Sequence, residues 1–475
     1  MTDFTAVICH HALSMPDQPA IILADRVATY GMIGRGMMSV EARLAAFDLK
    51  PGALVAVAIT SPIRHLIVAA ALYRRGHPTL SVWRTRDIPA IGLPIAAILE
   101  GDGDALAPGL NQIPVDDGWF TGPSPPVTPA PSRGFASSED ACRIELSSGT
   151  TGKPKAIALS VFAVERWIQN YYLSIGQANW TRMLSLPGLP SSWGFSLAAH
   201  ALRAGKTLVF APDARQTLAL MSLYSVDCLV GAPQHLRELI ALQRAAPTPL
   251  PALKLIFTGG SLHSPVLLRD AAAHLCSEIV VQYGSTEAGA TAFAHAGRLS
   301  EAGAVGFVAP WAEVQAVDEA GRVLPVGSEG ALRIRADCQG RPFPEKSGDD
   351  NFRDGWFYPG DVGRVRDDGM LSVLGRASEI INAGGTKVAP ETIEDAVRRH
   401  DGVADVAALG VVDDASGIEE LWLAVVPRGI VDPAAITAWC RTADIPVGRV
   451  VTVTAIPRNA LGKINRETLK RELTG

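Results

Sequence analysis

Short apolar runs alternate with segments of helical spacing along the first part of the chain. Residues 53–60 form a nearly continuous apolar run, which is typical of a buried strand, whereas residues 63–75 carry apolar side chains at helical spacing. Further short apolar runs follow at 80–82 and 96–99. Because strands separated by helices form βαβ units, this pattern predicts a parallel sheet.

The same alternation resumes between residues 156 and 300. A helix is expected at 162–175, and four apolar runs are expected to be strands. These four runs lie at 207–211, 228–230, 254–260 and 278–284.

The pattern changes after residue 304. Residues 305–376 contain short alternating segments between glycine turns, which predict a small antiparallel β region. The last hundred residues predict helices at 390–400 and 433–442 and strands at 403–412, 420–426 and 449–455. We therefore predict an α/β fold with two domains. Residues 1–376 form a large N-terminal domain of stacked α/β sheets plus the β region, and residues 377–475 form a small α+β domain.

Composition and charge narrow the functional classes. The chain has 475 residues, of which 48% are hydrophobic and 19% charged, and its formal net charge is −5. This length and balance are typical of a compact folded protein of two or more domains. They provide no basic surface for nucleic acid or for an anionic membrane, so neither partner is expected.

The six cysteines are widely separated and form no zinc-binding pattern. The N-terminal residues lack the features of a signal peptide, and no stretch approaches the ~18 apolar residues of a membrane span. We expect reduced thiols, a cytoplasmic location and no integral membrane association.

Residues 146–155 read Leu-Ser-Ser-Gly-Thr-Thr-Gly-Lys-Pro-Lys, a loop rich in glycine and hydroxyl groups. Glycines let backbone N–H groups approach an anion, and the hydroxyls and lysines add donors and charge, so the loop predicts a phosphate site. It is not a Walker A loop, because Ser147 replaces the first glycine and Pro154 replaces the magnesium-binding hydroxyl. The alternative reading is a flexible linker.

Five segments in a fixed order resemble the adenylate-forming superfamily, which includes acyl-CoA synthetases, peptide-synthetase adenylation domains and beetle luciferase. The resemblance covers almost the whole chain. The segments are 146–155, 283–289 (Tyr-Gly-Ser-Thr-Glu-Ala-Gly), 358–361 (Tyr-Pro-Gly-Asp), 375–376 (Gly-Arg) and 457–464 (Pro-Arg-Asn-Ala-Leu-Gly-Lys-Ile).

The resemblance assigns the loop at 146–155 to the β- and γ-phosphates of ATP, which leave as pyrophosphate. Pro154, which excludes Walker A, fits the pattern of this superfamily. The residues of the loop expected to bind nucleotide are Ser147, Ser148, Gly149, Thr150, Thr151, Gly152 and Lys155.

The segment after the predicted strand at 278–284 is expected at the edge of the sheet, where open α/β sheets bind ligands. By resemblance, Tyr283 stacks near adenine, Gly284 and Ser285 also contact the nucleotide, Thr286 contacts the α-phosphate and Glu287 holds Mg²⁺. Magnesium prefers a carboxylate together with substrate phosphates, which agrees with that assignment. The alternative is an ordinary Gly-Ser turn with a solvated glutamate.

Three further residues complete the expected site, Asp361 and Arg376 as nucleotide-binding residues and Lys463 as a catalytic one. By resemblance, Asp361 accepts both ribose hydroxyls, Arg376 contacts ribose or phosphate, and Lys463 bridges the acid carboxylate and the phosphate during adenylation. A cation there would offset charge that develops at phosphorus. The alternatives are an aspartate within its own turn, a surface ion pair and a solvated surface lysine.

The resemblance also implies that the small domain rotates between two half-reactions. The hinge position carries Ser378, where the superfamily mostly has Asp or Lys, and serine can still absorb backbone rotation. Gly384 and Gly385 are expected to line the tunnel of the thiol acceptor. Lys387 is either structural or close to acceptor phosphates.

By resemblance, the acid pocket is expected at 189–196, 259–261 and 283–289. Its candidate residues are Trp193, Gly194, Phe195, Gly259, Gly260 and Ser261. The two aromatic residues either line an apolar pocket or belong to the core. Residues 190–196 contain no carboxylate for a substrate ammonium, so an α-amino acid is disfavoured.

These features predict an ATP- and Mg²⁺-dependent ligase that joins a small-molecule carboxylic acid, aryl or aliphatic, to a thiol. Coenzyme A is the expected acceptor, and the phosphopantetheine of a separate acyl or peptidyl carrier protein is the alternative. A non-catalytic acyl- or nucleotide-binding protein would be expected to have lost Lys463, Glu287 or Asp361. A luciferase-like oxidation shares the nucleotide motifs and stays open. A monomer or a homodimer is expected.

Overall fold

The computed structural model describes most of the chain, and the backbone alone at residues 87, 382–383 and 386–387. The described residues are 3–88, 91–101, 109–121, 124–130, 134–147, 155–175, 179–299, 301, 303–344, 351–383, 386–412, 419–458 and 462–474.

The helices begin where local sequence provides caps. Asp3, Ser160 and Ser191 each precede a helix, and each side chain accepts a hydrogen bond from the backbone N–H three residues later. The helices are α1 Phe4–Ser14, α2 Tyr30–Leu44, α3 Pro62–Arg74, α4 Gly118–Thr121, α5 Val161–Ser174, α6 Ser192–Arg203, α7 Ala214–Leu223, α8 Pro233–Ala245, α9 Pro265–His274, α10 Pro390–Val397, α11 Pro433–Thr442 and α12 Arg466–Thr474.

The strands of the described residues fall into four sheets. Those of the first half of the chain are β1 Pro19–Ile22, β2 Val27–Thr29, β3 Val55–Ala58, β4 Thr79–Ser81, β5 Ala97–Glu100, β6 Gln112–Pro114, β7 Ala141–Ser147, β8 Lys155–Ser160, β9 Arg182–Ser185, β10 Thr207–Val209 and β11 Cys228–Gly231. Those of the second half are β12 Leu255–Gly259, β13 Ile279–Ser285, β14 Gly289–His295, β15 Ala304–Val308, β16 Ala312–Val317, β17 Gly330–Ala336, β18 Arg341–Pro342, β19 Phe352–Arg353, β20 Trp356–Phe357, β21 Asp361–Val365, β22 Met370–Arg376, β23 Ile381–Ala383, β24 Thr386–Val388, β25 Val403–Val412, β26 Glu419–Pro427 and β27 Val447–Thr452.

The largest sheet is parallel at its centre, which confirms the prediction from alternating strands and helices. Its order is β19-β20-β17-β21-β22-β15-β14-β13-β12-β11-β9-β10-β1-β2, with β16 paired to β17. The strands from β13 through β12, β11, β9 and β10 to β1 pair in parallel. Helices cover both faces. Ile256 on β12 packs with α7–α9, and its neighbours Leu255 and Phe257 pack on the opposite side with α1–α3, α5 and α6.

A second sheet has the order β18-β8-β7-β4-β3-β5-β6. Its strands β3 to β7 pair in parallel, whereas β7 and β8 form an antiparallel pair. Ser147 ends β7 and Lys155 begins β8, so these two residues flank the predicted phosphate loop. Residues 148–154 of that loop lie outside the described residues.

The region at 305–376 is antiparallel, as predicted, but it is not a separate sheet. Strand β14 pairs antiparallel with β13 and β15, and β15 pairs with β22, so the antiparallel strands extend the large parallel sheet. Apolar alternation along single strands cannot reveal this continuity, because it depends on which strands pair at the sheet edge.

Residues from 381 onward form a three-stranded sheet, β25-β26-β27, a two-stranded sheet, β23-β24, and three helices. Their hydrophobic clusters contain no described residue from the first 376 positions. The domain boundary at 376/377 stays a prediction. No helix within the described ranges is long and apolar enough to cross a membrane.

Candidate active site

A cavity of about 820 Å³ lies beside residues 462–466. Its other walls include the turn that follows β13, the start of α6 and the β21–β22 pair. This is the carboxyl end of the parallel strands, where open α/β sheets bind ligands. Most of the expected site residues line it. They are Ser147, Lys155, Trp193, Gly260, Ser261, Tyr283, Gly284, Ser285, Thr286, Glu287, Asp361, Arg376 and Lys463.

Asp361 lies at the centre of a buried cluster. The Tyr283 hydroxyl donates to Asp361 Oδ2 at 2.5 Å, and Arg376 Nε lies 3.4 Å from Asp361 Oδ1. The register of β21 against β22 sets Asp361 opposite Arg376. Burial raises the pKa of Asp361, while the arginine cation and the tyrosine hydroxyl oppose that rise. A carboxylate has about four acceptor positions, so Asp361 keeps capacity for a ligand hydroxyl.

Lys463 projects into the same cluster from the other side of the cavity. Its ammonium is buried, and burial together with the nearby Arg376 lowers its pKa, while Asp361, Glu379 and Glu287 oppose that change. The loop that carries it is held by Arg458, which donates to the Gly462 carbonyl at 2.9 Å and to Asp405 at 2.7 Å. The lysine is therefore a positioned cation beside several carboxylates.

The turn after β13 has little freedom. A Cβ at Gly284 would lie 2.3 Å from the Gly289 carbonyl oxygen, so only glycine fits that close approach. Ser285 Oγ accepts from the Ala288 N–H at 3.1 Å, and Thr286 Oγ1 lies 3.2 Å from Ser192 Oγ. The turn thus presents the Thr286 hydroxyl and the buried Glu287 to the cavity.

Glu287 fits a single protein ligand for magnesium by donor chemistry. The described residues hold no group of three or more His, Cys, Asp and Glu side chains arranged for a metal ion. Magnesium commonly binds to one or two carboxylates plus substrate phosphates rather than to an all-protein cage. The buried carboxylate of Glu287 fits that mode.

The acid-pocket candidates divide into two groups. Trp193, Gly260 and Ser261 line the cavity. Gly194, Phe195 and Gly259 do not, because Gly194 packs against the Gly188 carbonyl, Gly259 packs against the Gln282 carbonyl, and Phe195 lies in the core.

Helical geometry explains the position of Phe195. Trp193 and Ser196 are three residues apart on α6 and share the face that lines the cavity. Phe195 lies on another face, under the Arg143 guanidinium at 3.6 Å from its ring centroid.

Three sets of expected residues are not placed in the cavity. Ser148, Gly149, Thr150, Thr151 and Gly152 lie outside the described residues, as do Gly384 and Gly385. Only the backbone of Lys387 is described, within β24. Ser378 lies in an exposed turn after β22.

Two family models match the chain, one after the other along the sequence. The model described as AMP-binding enzyme matches residues 98–341, and the model described as AMP-binding enzyme C-terminal domain matches residues 392–463. The chain belongs to the family of AMP-binding enzymes.

Relatives of this AMP-binding enzyme extend along most of its length. A fatty acid–[acyl-carrier-protein] ligase of Streptomyces coeruleorubidus is 26% identical and covers 98% of this chain and 95% of its own. A 4-chlorobenzoate–CoA ligase of Arthrobacter is 26% identical over 94% of this chain and 90% of its own. The structure of o-succinylbenzoate CoA synthetase from Bacillus subtilis has a TM-score of 0.84, 19% identity and 98% coverage of both chains. That structural likeness establishes the shared fold.

The AMP-binding enzyme also has a buried ion pair that the motifs do not indicate. Arg143 and Glu145 on β7 form it, and Arg143 also donates to Ser81 Oγ at 3.0 Å and to the Leu189 carbonyl at 3.2 Å. Burial raises the pKa of Glu145, and Arg143 opposes that rise. The pair ties the strand before the phosphate loop to β4 and to the turn before α6. The sequence did contain a signal for this pair, because Arg143 and Glu145 are charged residues two positions apart in a mostly apolar strand and so share one face of it.

A second cluster surrounds Arg466, which also lines the cavity. Its guanidinium lies 2.6 Å from Glu394, 3.3 Å from Glu391 and 3.2 Å from Glu379. Its nearest carboxylates are 72 to 87 positions away in sequence, and only folding brings them together. Sequence spacing alone gives no signal for such a cluster.

Proposed function

We propose that this AMP-binding enzyme activates a carboxylic acid with ATP as an acyl-adenylate and then transfers the acyl group to a thiol. The observation that carries the proposal is the convergence of Tyr283, Glu287, Asp361, Arg376 and Lys463 on one cavity. The acid–thiol ligases among its relatives support the same reaction class. The chain is an AMP-forming acid–thiol ligase.

In the first half-reaction, a carboxylate oxygen of the acid attacks the α-phosphorus of ATP, and the bond to the β-phosphate oxygen breaks. Lys463 stabilises the two anions that must approach each other and the charge that develops at phosphorus. Asp361 accepts the ribose hydroxyls, and Thr286 donates to the α-phosphate. Magnesium bound at Glu287 would neutralise phosphate charge and orient the leaving pyrophosphate.

In the second half-reaction, a thiol sulfur attacks the acyl carbonyl carbon and AMP leaves with the oxygen that linked them. The thiol proton passes to solvent or to the leaving phosphate. Coenzyme A is the proposed acceptor. A carrier protein is the alternative acceptor, supported by the relative that acts on an acyl-carrier protein.

The proposed acid lacks an α-amine. The turn and helix that lead from Pro190 to Ser196 carry no carboxylate to pair a substrate ammonium, and an unpaired buried ammonium is costly. A non-catalytic binding protein is less favoured, because the lysine and both carboxylates are retained and line the same cavity. We propose a cytoplasmic location, supported by six cysteines without a disulfide.

ATP–pyrophosphate exchange across aryl, short aliphatic, long aliphatic, dicarboxylic and amino acids tests this function. We expect one class without an α-amine to support exchange, and addition of coenzyme A to yield a thioester of the expected mass. Exchange led by amino acids would overturn the proposed acid class. No exchange with any acid would overturn the proposed function, and thioester only on a supplied carrier protein would replace coenzyme A as acceptor.

A further inference from the structure

One end of the cavity is lined by polar side chains that the adenylation chemistry does not use. They come from three elements, α5, α6 and β13, which pack side by side around this end. The residues are Asn170, Tyr171, Trp193, Ser196 and Gln282.

Two atoms in this group have no hydrogen-bond partner among the described residues, although the Gln282 amide lies beside the Tyr171 hydroxyl. The Tyr171 hydroxyl lies 3.1 Å from Ser196 Oγ, and Ser196 Oγ donates to the Trp193 carbonyl at 3.2 Å. By contrast, Trp193 Nε1 and Gln282 Oε1 are buried without a hydrogen bond to any described residue. Leaving a buried donor or acceptor unpaired is unfavourable by a factor of roughly 10–100 in an equilibrium constant, so each would gain from a partner.

The position of the two residues points to the acyl part of the substrate. Gln282 precedes Thr286 by four residues on the same strand and turn, which allows a separation of up to about 13 Å. Trp193 follows Ser192, whose hydroxyl contacts Thr286, and its ring lies over Gly259 and Gly260. A group bound here is therefore away from the reacting carboxylate.

The chemistry of this end favours a neutral group. None of the residues that α5, α6 and β13 contribute to the cavity is Lys, Arg, Asp or Glu, and all three elements are fully described. These three elements therefore offer no counter-ion to a second carboxylate or an ammonium, which would be costly to bury unpaired. One unpaired donor and one unpaired acceptor together match a hydroxyl, which both accepts and donates.

We propose that this end of the cavity binds a hydroxyl on the acyl part of the acid, with Trp193 Nε1–H donating to its oxygen and Gln282 Oε1 accepting its hydrogen. Both residues line the cavity, and the terminal torsion of a glutamine amide is soft enough for the oxygen to turn toward a ligand. This inference rests on the proposed acid activation and names the substrate class as hydroxy acids.

Matched acids test it in ATP–pyrophosphate exchange. The pairs are the 4-hydroxy and 4-methyl forms of benzoic, phenylacetic and cinnamic acid, because methyl and hydroxyl groups are similar in size. For at least one pair we expect kcat/KM to favour the hydroxy acid by about tenfold or more. Gln282→Leu and Trp193→Phe should each bring that ratio toward one. Gln216→Leu, the same change on the exposed surface of α7, should leave it unaltered.

The outcomes separate the two proposals. Exchange with the methyl and hydroxy acids at equal efficiency would overturn the hydroxyl site while acid activation stands. A preference that survives in both variants would also overturn it, because the hydroxyl would then be bound elsewhere. Absence of exchange with every acid would instead overturn the proposed function. The comparison of acids on the wild-type enzyme decides the question even if neither variant folds.

Discussion

At the scale of single residues, the site depends on charges that are buried together. Lys463 lies beside Asp361, Glu287 and Arg376, and each of these charges would be costly to bury alone. The arrangement is chemically useful because a desolvated cation interacts more strongly with phosphate than a solvated one does. Lys463 is accordingly the residue on which the adenylation step should depend most.

We expect Lys463→Ala to lower acid-dependent ATP–pyrophosphate exchange by about 100-fold or more, because it removes the cation that stabilises the transition state. Conversion of a supplied acyl-adenylate to thioester should be largely retained. Lys470→Ala is the matched control, since Lys470 is an exposed lysine on α12 that donates to the Gly410 carbonyl. An equal loss of both half-reactions would contradict the role of Lys463.

At the scale of elements, a short loop positions that lysine. Arg458 holds the Gly462 carbonyl, and Gly462 adopts a φ of 76° close to the start of α8. A Cβ at Gly462 would lie 2.8 Å from the Gln234 Cβ. The loop therefore needs glycine both for its left-handed backbone and for its approach to α8.

Gly462→Ala should lower pyrophosphate exchange by roughly tenfold, because it adds about 1–2 kcal/mol of backbone strain and a contact that separates the loop from α8. Thiolysis of a supplied acyl-adenylate should change less. Gly429→Ala is the control, since Gly429 has a φ of 89° and open space around its Cβ position. If both variants lose the same exchange activity, the contact with α8 is not what matters.

At the scale of the whole molecule, the segment from residue 381 onward meets the large sheet and its helices across the cavity. Arg237 on α8 lies 3.7 Å from Asp395 on α10, and burial lowers the pKa of Arg237 to about 10. Asp395 also contacts Arg398 at 3.1 Å, so it keeps one partner if Arg237 is removed. This pair helps to hold the arrangement in which Lys463 reaches the site.

Arg237→Gln should reduce exchange by roughly 1.4- to fivefold, which corresponds to the ~0.2–1 kcal/mol of a partly exposed ion pair. Thiolysis of a supplied acyl-adenylate should be unchanged or faster, because the proposed rotation of the small domain would be opposed less. The control is Arg322→Gln, which removes an ion pair with Asp318, and neither of these residues lines the cavity. Equal decreases in both half-reactions would argue against a role in rotation.

Much of this protein follows from the sequence alone. Apolar periodicity reports which segments are buried, and it located β25 Val403–Val412 and α11 Pro433–Thr442 with the bounds that the structure has. The order of the five motifs identified the family, because residue type and spacing within one loop are local properties. The substrate acid and the domain boundary are not determined at that level.

Only the tertiary structure decided which distant side chains meet. Tyr283 and Asp361 are 78 residues apart, and their contact depends on the order and register of strands in the large sheet. Packing also decided that Phe195 lies on the face of α6 that points away from the cavity, under Arg143. It likewise decided that Trp193 Nε1 and Gln282 Oε1 have no hydrogen-bond partner among the described residues. Local pattern determines elements, whereas packing between elements determines which polar groups remain for a substrate.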